Sequence, residues 1–202
     1  MATDADSPGA SASRDGSLIP RIPFVDSDTQ EPALRALFDQ IRARGAEPFN
    51  IHRTIAQAPD IFAGFLSFAF ALRSQAVSPR VDRELMILRT CQLTDGSYQW
   101  SHHRHMAAAL GLTDIQIDQI ATWRTSDAFS PSHRAILAYT DAMFSAAGVD
   151  EAVFGDLARR FGPREIVELT LTAAFYGGMA HFSRALRIPL DADASTGQYG
   201  RT

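Results

Sequence analysis

Apolar residues recur at intervals of three and four positions along most of this 202-residue chain, and this spacing constrains the fold more than any other feature. The pattern is clear near the start, at Leu34, Leu37, Phe38 and Ile41, and it continues to about residue 187. Side chains three and four positions apart share one face of an α-helix, whereas a half-buried strand alternates with a period of two. We find no alternating stretch of useful length. The sequence therefore predicts an all-α protein with eight or nine helices.

Proline, glycine and small polar residues mark where the predicted helices begin and end. Ser78 followed by Pro79 is typical of a helix start, with a capping serine and a proline at the first helical position. The segment Asp95-Gly96-Ser97 interrupts the helix that follows. The predicted helices span Asp28 or Thr29 to Gly45, Asn50–Ala56, Pro59–Gln75, Ser78–Thr94, Tyr98–Leu110, Thr113–Thr122, Ser130–Gly148, Asp150–Phe161 and Arg164–Arg187.

The chain is predicted to divide into four parts. Residues 1–17 consist mainly of Ala, Ser, Asp and Gly, which bury little, and they are predicted to be a disordered tail. Residues 18–48 are predicted to form an extended strap over Ile19–Val25, which holds two prolines, and then the first helix. Residues 49–190 are predicted to be the main helical domain, and residues 191–202 a C-terminal tail.

Two absences exclude whole classes of chemistry. All 19 cationic residues are arginine, so the chain has no lysine for a Schiff base or an internal aldimine. Cys91 is the single cysteine, so the chain holds neither an internal disulfide nor a pair of thiols that resolve one another.

Charge and hydropathy restrict the expected partners and location. The formal net charge is −4 and no basic stripe is present, so we expect no nucleic-acid partner. The longest apolar run, residues 61–72, is shorter than the roughly 20 residues that a membrane-spanning helix needs. The first residues lack the apolar core of a signal peptide. We therefore expect a cytoplasmic protein without a membrane partner.

Three of the six histidines lie within residues 100–105. On a helix they fall on two neighbouring faces, one with Tyr98, His102 and His105, the other with Gln99, His103 and Met106. One interpretation is a solvated polar face; another is a buried functional cluster, since small apolar residues follow directly. A zinc site is a third, because His102 and His105 are one turn apart, although no HExxH motif or second cysteine accompanies them.

Glu84 lies on a helix face with Val81, Leu85, Leu88 and Cys91, and this face is predicted to point inward. A buried carboxylate is costly unless it is paired or hydrogen-bonded. Glu84 is therefore either the partner of an arginine in a structural salt bridge, or a functional carboxylate that has a shifted pKa or orients a histidine.

His181 lies in the middle of the last apolar helix, where a buried structural histidine is the simplest interpretation. The alternative is that His181 and Tyr176 form part of a pocket wall.

Several motifs together resemble the carboxymuconolactone decarboxylase family, which includes the AhpD peroxidases. They cover about residues 49–190 and comprise Arg83-Glu84-Leu85, Leu88-Arg89, Asp95 through His103, Gly111-Leu112, Phe175-Tyr176 and Ala185 through Pro189. In the AhpD branch a glutamate precedes a C-x-x-C-x-x-x-H motif on the next helix. Glu84 and His103 stand nineteen positions apart, as that arrangement requires. The two cysteine positions then fall on Gly96 and Gln99.

The resemblance implies an AhpD-like helical bundle in which the helices of Glu84 and His103 face each other across a pocket. It also implies a homo-oligomer, either a dimer, a trimer or a hexamer. A peroxidase of this type needs one thiolate to attack the peroxide and a second thiol to resolve the product. Gly96 and Gln99 provide neither, so we do not expect dithiol peroxidase activity.

The decarboxylase branch implies acid–base chemistry without a metal or another cofactor. Loss of a carboxylate from an unsaturated lactone requires a proton donor at carbon and a hydrogen-bond donor at the developing oxyanion. We expect His103 to be the acid or base and Glu84 to fix its tautomer, while Tyr98 or His102 donates to a substrate oxygen. The residues expected to contact the substrate are Trp100, Gln99, His181 and Tyr176.

The resulting prediction is a lyase or related enzyme that acts on a small unsaturated carboxylic acid or lactone. The main alternative is a non-catalytic oligomeric binding protein with the same fold. The third alternative is a peroxidase-like or zinc-binding protein.

Overall fold

The computed structural model describes residues 19–192, and within that range it consists of nine α-helices, one short 3₁₀ helix and no strand. The helices are α1 Pro32–Arg42, α2 Asn50–Ile55, α3 Pro59–Ser74, α4 Arg80–Thr94, α5 Ser97–Ala109, α6 Asp114–Gln119, α7 Pro131–Met143, α8 Glu151–Ala158 and α9 Pro163–Leu186, and the 3₁₀ helix Ile120–Thr122 continues α6. The predicted all-α fold is confirmed. The predicted tail over residues 1–17, and residues 193–202 of the other predicted tail, lie outside the described residues. Across residues 19–192, none of the helices has the length and apolar character to cross a membrane.

Helix α1 begins later than the sequence predicts. Glu31, and not Thr29, is its cap, because the Glu31 carboxylate accepts hydrogen bonds from the backbone N–H groups of Ala33 and Leu34 at 3.2 and 2.7 Å. Pro32 occupies the first helical position, where its missing N–H costs nothing.

Helix α4 and the turn after it place the chemically interesting side chains. Pro79, and not Ser78, is the N-cap residue, so the helix starts at Arg80. The backbone N–H of Ser78 donates to the Glu168 carboxylate at 2.8 Å. Asp95 ends α4 in the left-handed conformation, with φ of 55°. Two residues later α5 begins and packs against α4.

Helix α4 lies at the centre of the fold. It packs against α5, α7 and α9, and every residue from Asp82 through Leu88 is buried. A helix that faces solvent on one side shows burial with a period of about 3.6 residues. The unbroken run therefore means that neighbouring elements cover this part of α4 on all sides, so Glu84 lies in the interior.

The N-terminal segment crosses the outside of α2 and the end of α9. The Arg21 backbone N–H donates to Leu186 O at 3.0 Å, and the Val25 N–H donates to Arg53 O at the same distance. These contacts tie the segment predicted as a strap to the end of α9 and to α2.

Candidate active site

Glu84 on α4 and His103 on α5 meet in the interior. His103 Nδ1 lies 2.6 Å from Glu84 Oε2, and the Glu84 side chain is 0% exposed. The other carboxylate oxygen, Oε1, accepts hydrogen bonds from Nε and Nη2 of Arg80 at 3.0 and 2.8 Å. The sequence left open whether Glu84 pairs with an arginine or orients a histidine, and in the structure it does both.

The electrostatics of the Glu84–His103 pair fix its protonation. Burial opposes ionisation of Glu84, but the hydrogen bond from His103 and the charge and hydrogen bonds of Arg80 outweigh it, and the pKa of Glu84 is lowered to about 2. Burial lowers the pKa of His103 and outweighs the opposite effect of Glu84. At neutral pH the pair is therefore a carboxylate and a neutral imidazole. The hydrogen on Nδ1 is donated to Glu84, which leaves Nε2 as an unprotonated acceptor.

A cavity of about 100 Å³ lies beside His103, between α2, α3, α5 and α9. This volume is several times what one water molecule needs, so the cavity is large enough for a small organic molecule. Its apolar walls include Phe49, Phe65, Phe70, Met106, Phe175 and Met179. Its polar walls include His52, Arg73, Gln99, His102, His103 and Tyr176.

Arg73 on α3 and Tyr176 on α9 bring a positive charge and a phenol to the cavity. The Arg73 charge adds to the effect of burial in lowering the pKa of both His52 and His103. The Tyr176 ring meets the His103 ring edge-on, with 4.6 Å between the ring centroids. Burial and the nearby Glu84 charge raise the pKa of Tyr176 to about 12, so the phenol keeps its proton and remains a donor. No carboxylate is among the described residues that line the cavity, which favours an anionic ligand.

A second carboxylate–histidine contact involves the segment that follows α9. Asp191 Oδ2 lies 3.0 Å from His102 Nε2 and also accepts a hydrogen bond from the Tyr98 hydroxyl. The other oxygen, Oδ1, accepts from the Asn50 backbone N–H at 2.8 Å. Burial opposes ionisation of Asp191, but these hydrogen bonds lower its pKa. We call Asp191, His102 and Tyr98 the Asp191 cluster.

The Asp191 cluster corrects the role expected of Tyr98. A tyrosine hydroxyl has one proton, and that of Tyr98 is donated to Asp191. The hydroxyl oxygen also accepts from the Ile51 backbone N–H at 3.2 Å. The predicted donation from Tyr98 to a substrate oxygen therefore does not fit the structure, and Tyr176 is the phenol available for that role.

Trp100, expected to contact the substrate, packs instead against a core cluster that includes Leu85, Leu88 and Trp123. Successive side chains on an α-helix point in directions about 100° apart. Trp100 therefore points away from the cavity that its neighbour Gln99 lines.

His181 is exposed, which contradicts both the buried and the pocket-wall interpretation, because its position falls on the outer face of α9. His105 is also exposed, so it does not join His102 in a zinc site. Within residues 19–192 no three His, Cys, Asp or Glu side chains are grouped so that they could hold a metal ion.

Gly96 and Gln99, at the two positions that carry cysteine in the AhpD motif, have structural roles here. A Cβ added to Gly96 would lie 2.9 Å from the Ala180 Cβ, so this position has no room for a side chain. Gln99 reaches the cavity and donates from Nε2 to Met179 O and Ser183 Oγ at 3.0 and 2.8 Å. Cys91 is buried, and desolvation raises the pKa of its thiol to about 12, so it is not a nucleophile at neutral pH.

The sequence reasoning missed His52, Arg73 and Asp191. Arg73 follows Phe70 by three positions and so extends the inner face of α3, a spacing that the sequence does show. His52 lies in α2, and no motif in the sequence around it marks a pocket residue. Asp191 lies after the last helix, where no periodicity identifies a partner.

Residues 59–142 match the sequence model of the carboxymuconolactone decarboxylase family. The predicted resemblance to that family is therefore confirmed over these residues. The family segment contains Arg73, Glu84 and His103, whereas Tyr176 and Asp191 come from outside it. None of the curated proteins compared with this chain matches its sequence.

Solved structures with the same fold extend the similarity to almost the whole chain. The debrominase Bmp8 in complex with 2,3,4-tribromopyrrole has a TM-score of 0.74 and 19% identity, and the match covers 88% of this chain and 95% of that one. The alkylhydroperoxidase AhpD core of an uncharacterised peroxidase-related protein from Ralstonia eutropha JMP134 has a TM-score of 0.73 and 20% identity over 91% and 98%. A peroxidase-related protein from Silicibacter sp. TM1040 has a TM-score of 0.73 and 16% identity over 89% and 94%. These similarities establish an AhpD-like fold.

Proposed function

We propose that this chain is a cofactor-independent acid–base enzyme that acts on a small unsaturated carboxylic acid or lactone, by decarboxylation or a related lyase or isomerase reaction. The observation that carries the proposal is the buried contact of 2.6 Å between Glu84 and His103 beside a cavity. A paired carboxylate and imidazole beside a cavity is an arrangement typical of proton transfer. The match of residues 59–142 to the carboxymuconolactone decarboxylase family supports it.

His103 is the proposed proton carrier. Its Nδ1 hydrogen is held by Glu84, so Nε2 is the nitrogen that accepts a proton from substrate carbon and returns it. The imidazolium that forms lies against the Glu84 carboxylate, which stabilises its charge. Such a positioned general base contributes about 10²- to 10⁴-fold to a rate.

In a decarboxylation His103 acts first as an acid, because it delivers a proton to carbon instead of removing one. The bond between carbon and the carboxylate breaks, CO₂ leaves, and the electron pair moves to the oxygen of the conjugated carbonyl. His103, protonated from solvent, delivers one proton to the carbon, so the reaction consumes one proton overall. Since His103 is neutral in the resting site, proton abstraction and return is the direction that the resting state favours.

Arg73 and Tyr176 are the proposed substrate-binding groups. Arg73 is the arginine among the described residues that line the cavity beside His103, and a guanidinium is well suited to a carboxylate. Tyr176 keeps its proton up to high pH and lies against His103, so it is placed to donate to an enolate oxygen.

Turnover of a panel of small unsaturated acids and lactones tests the proposal. For any compound that the wild type converts, His103→Gln and Glu84→Gln are each expected to lower kcat by about 10²-fold or more. His105→Gln changes an exposed histidine of the same helix and is the matched control. Circular dichroism establishes that each variant is folded. Near-wild-type rates for both folded variants contradict the assignment.

A non-catalytic binding protein is the second candidate, because the cavity walls are largely aromatic and aliphatic. In that case ligands bind without being converted, and His103→Gln alters affinity alone. Conversion of any bound ligand that depends on His103 excludes this candidate.

We also propose that the chain associates with itself through the outer face of α9. Val167 and Leu171 are 57% and 42% exposed there, and Ala174 and Gly178 continue the exposed stripe at helical spacing. Apolar residues that line up on one exposed helix face are typical of an interface.

A further inference from the structure

Two polar atoms of the cavity residues are buried without a partner. His102 Nδ1 and Gln99 Oε1 have no hydrogen-bonding group within reach among residues 19–192, and both side chains line the cavity. Both residues are at most 5% exposed. A buried polar atom without a partner is destabilising, and native proteins seldom retain one unless water or a ligand satisfies it.

The identity of these atoms as acceptors follows from their neighbours. Gln99 donates its Nε2 hydrogens to Met179 O and Ser183 Oγ. A flipped amide would place Oε1 against the Met179 carbonyl oxygen, so Oε1 remains the unpartnered atom.

Asp191 determines the state of His102 in the same way. Its carboxylate lies 3.0 Å from His102 Nε2 and is itself held by the Asn50 backbone N–H. A carboxylate only accepts, so Nε2 carries the hydrogen of the neutral ring and Nδ1 is an acceptor. The neutral ring therefore does not fit the predicted donation from His102 to a substrate oxygen. Asp191 is therefore a positioning residue for His102, much as Glu84 is for His103.

The cavity thus combines one cation with acceptors that lack donors. Arg73 suits a carboxylate, whereas Gln99 Oε1 and His102 Nδ1 suit an O–H or N–H group. We propose that the ligand is an unsaturated acid that also carries a hydroxyl or N–H group, and that the Gln99 amide and the Asp191-oriented His102 select for this donor. The inference rests on the proposed function for the acid class and adds the second group to it.

Matched pairs of ligands test the selection. The 2-, 3- and 4-hydroxybenzoates are each compared by calorimetry with the fluorobenzoate substituted at the same carbon, since fluorine resembles a hydroxyl in size but donates no hydrogen. At least one hydroxybenzoate is expected to bind about tenfold more tightly than its fluoro counterpart, the effect of one well-formed hydrogen bond. Gln99→Met and His102→Phe are each expected to lower the ratio of hydroxybenzoate to fluorobenzoate affinity, because each removes one of the two acceptors.

Nitrogen-15 NMR tests the role of Asp191 independently of any ligand. In the wild type, His102 is expected to carry hydrogen on Nε2 and none on Nδ1. Asp191→Asn is expected to mix the two tautomers, whereas Asp118→Asn, at an exposed aspartate paired with Arg104, leaves them unchanged. A purely structural role for Asp191 would not move this signal.

The outcomes separate this inference from the proposed function. Equal affinities within all three pairs, or no binding of any of the six acids at millimolar concentration, overturn the inference. A wild-type His102 with hydrogen on Nδ1, or an unchanged tautomer in Asp191→Asn, also overturns it. Turnover that depends on His103 is measured separately, so either conclusion is able to fail while the other stands.

Discussion

His52 is a buried histidine that is harder to protonate in the folded chain than in the unfolded chain. Replacing it by glutamine removes its contribution to the pH dependence of the free energy of unfolding. The side chain is 7% exposed, and Nδ1 accepts the Phe49 backbone N–H at 3.0 Å. Burial is the main reason that the pKa of His52 falls from 6.5 to about 4. The charge of Arg73 acts in the same direction, as does that of His102 when its ring is protonated, and Asp191 opposes them.

The shift gives both the sign and the size of the effect. The unfolded chain binds a proton at His52 as the pH falls below 6.5, whereas the folded chain does so only near 4. The unfolded state therefore gains stability relative to the folded state across that interval. The loss from this residue amounts to about 3 kcal/mol when the pH has reached about 4, and it does not grow below that value.

Urea unfolding at a series of pH values, followed by circular dichroism, measures the effect in the wild type and in His52→Gln. Glutamine retains an acceptor near the Phe49 N–H but does not titrate. The other titrating groups contribute to both proteins, so the difference in the free energy of unfolding isolates His52. Between neutral pH and about pH 4, the wild type is expected to lose about 3 kcal/mol more of its free energy of unfolding than His52→Gln loses.

His105→Gln, at an exposed histidine, is expected to show no comparable trend. A difference between wild type and His52→Gln that stays constant across this range refutes the reasoning. It would mean that His52 titrates alike in the folded and unfolded chains.

Three further predictions concern packing, assembly and catalysis. Gly96→Ala is expected to lower the free energy of unfolding by about 1–3 kcal/mol, because its Cβ would stand 2.9 Å from that of Ala180. Gly64→Ala, where a Cβ meets open space in a helix, should raise it by up to about 1 kcal/mol; equal effects in urea unfolding contradict the packing argument. Leu171→Arg is expected to reduce the molar mass found by light scattering, and an unchanged mass for an oligomeric wild type argues against the α9 interface. The value of kcat/KM is expected to fall on acidification only below pH 6.5, through the lowered pKa of His103, and a fall that begins at higher pH contradicts the neutral-base mechanism.

The helices were largely predictable because their ends are marked locally. Pro59, Thr113 and Ser130 were identified as helix starts, and α3, α6 and α7 begin at or next to them. The cap of α1 was missed, because a glutamate side chain reached the helix N-terminus in place of the shorter Thr29. Capping by a long side chain depends on its rotamer, which residue type alone does not reveal.

The site was only partly predictable. The pairing of Glu84 and His103 was implied by the family resemblance, and their spacing of nineteen positions matches two adjacent helices joined by one turn. Asp191 lies 89 positions from His102, and no sequence pattern connects them. Trp100 was expected to contact the substrate, yet it lies one position from Gln99 around the helix and packs against the core. Sequence reasoning was reliable where contacts are local and failed where the chain returns from a distance.

The protonation state of His103 tests the account most directly, and nitrogen-15 NMR of the ring nitrogens measures it without any substrate. At neutral pH we expect hydrogen on Nδ1, none on Nε2, and protonation only below pH 6.5; Glu84→Gln is expected to abolish the tautomer preference. An imidazolium at neutral pH, or a wild-type ring with its hydrogen on Nε2, would leave Nε2 unable to accept a proton and contradict the proposed chemistry.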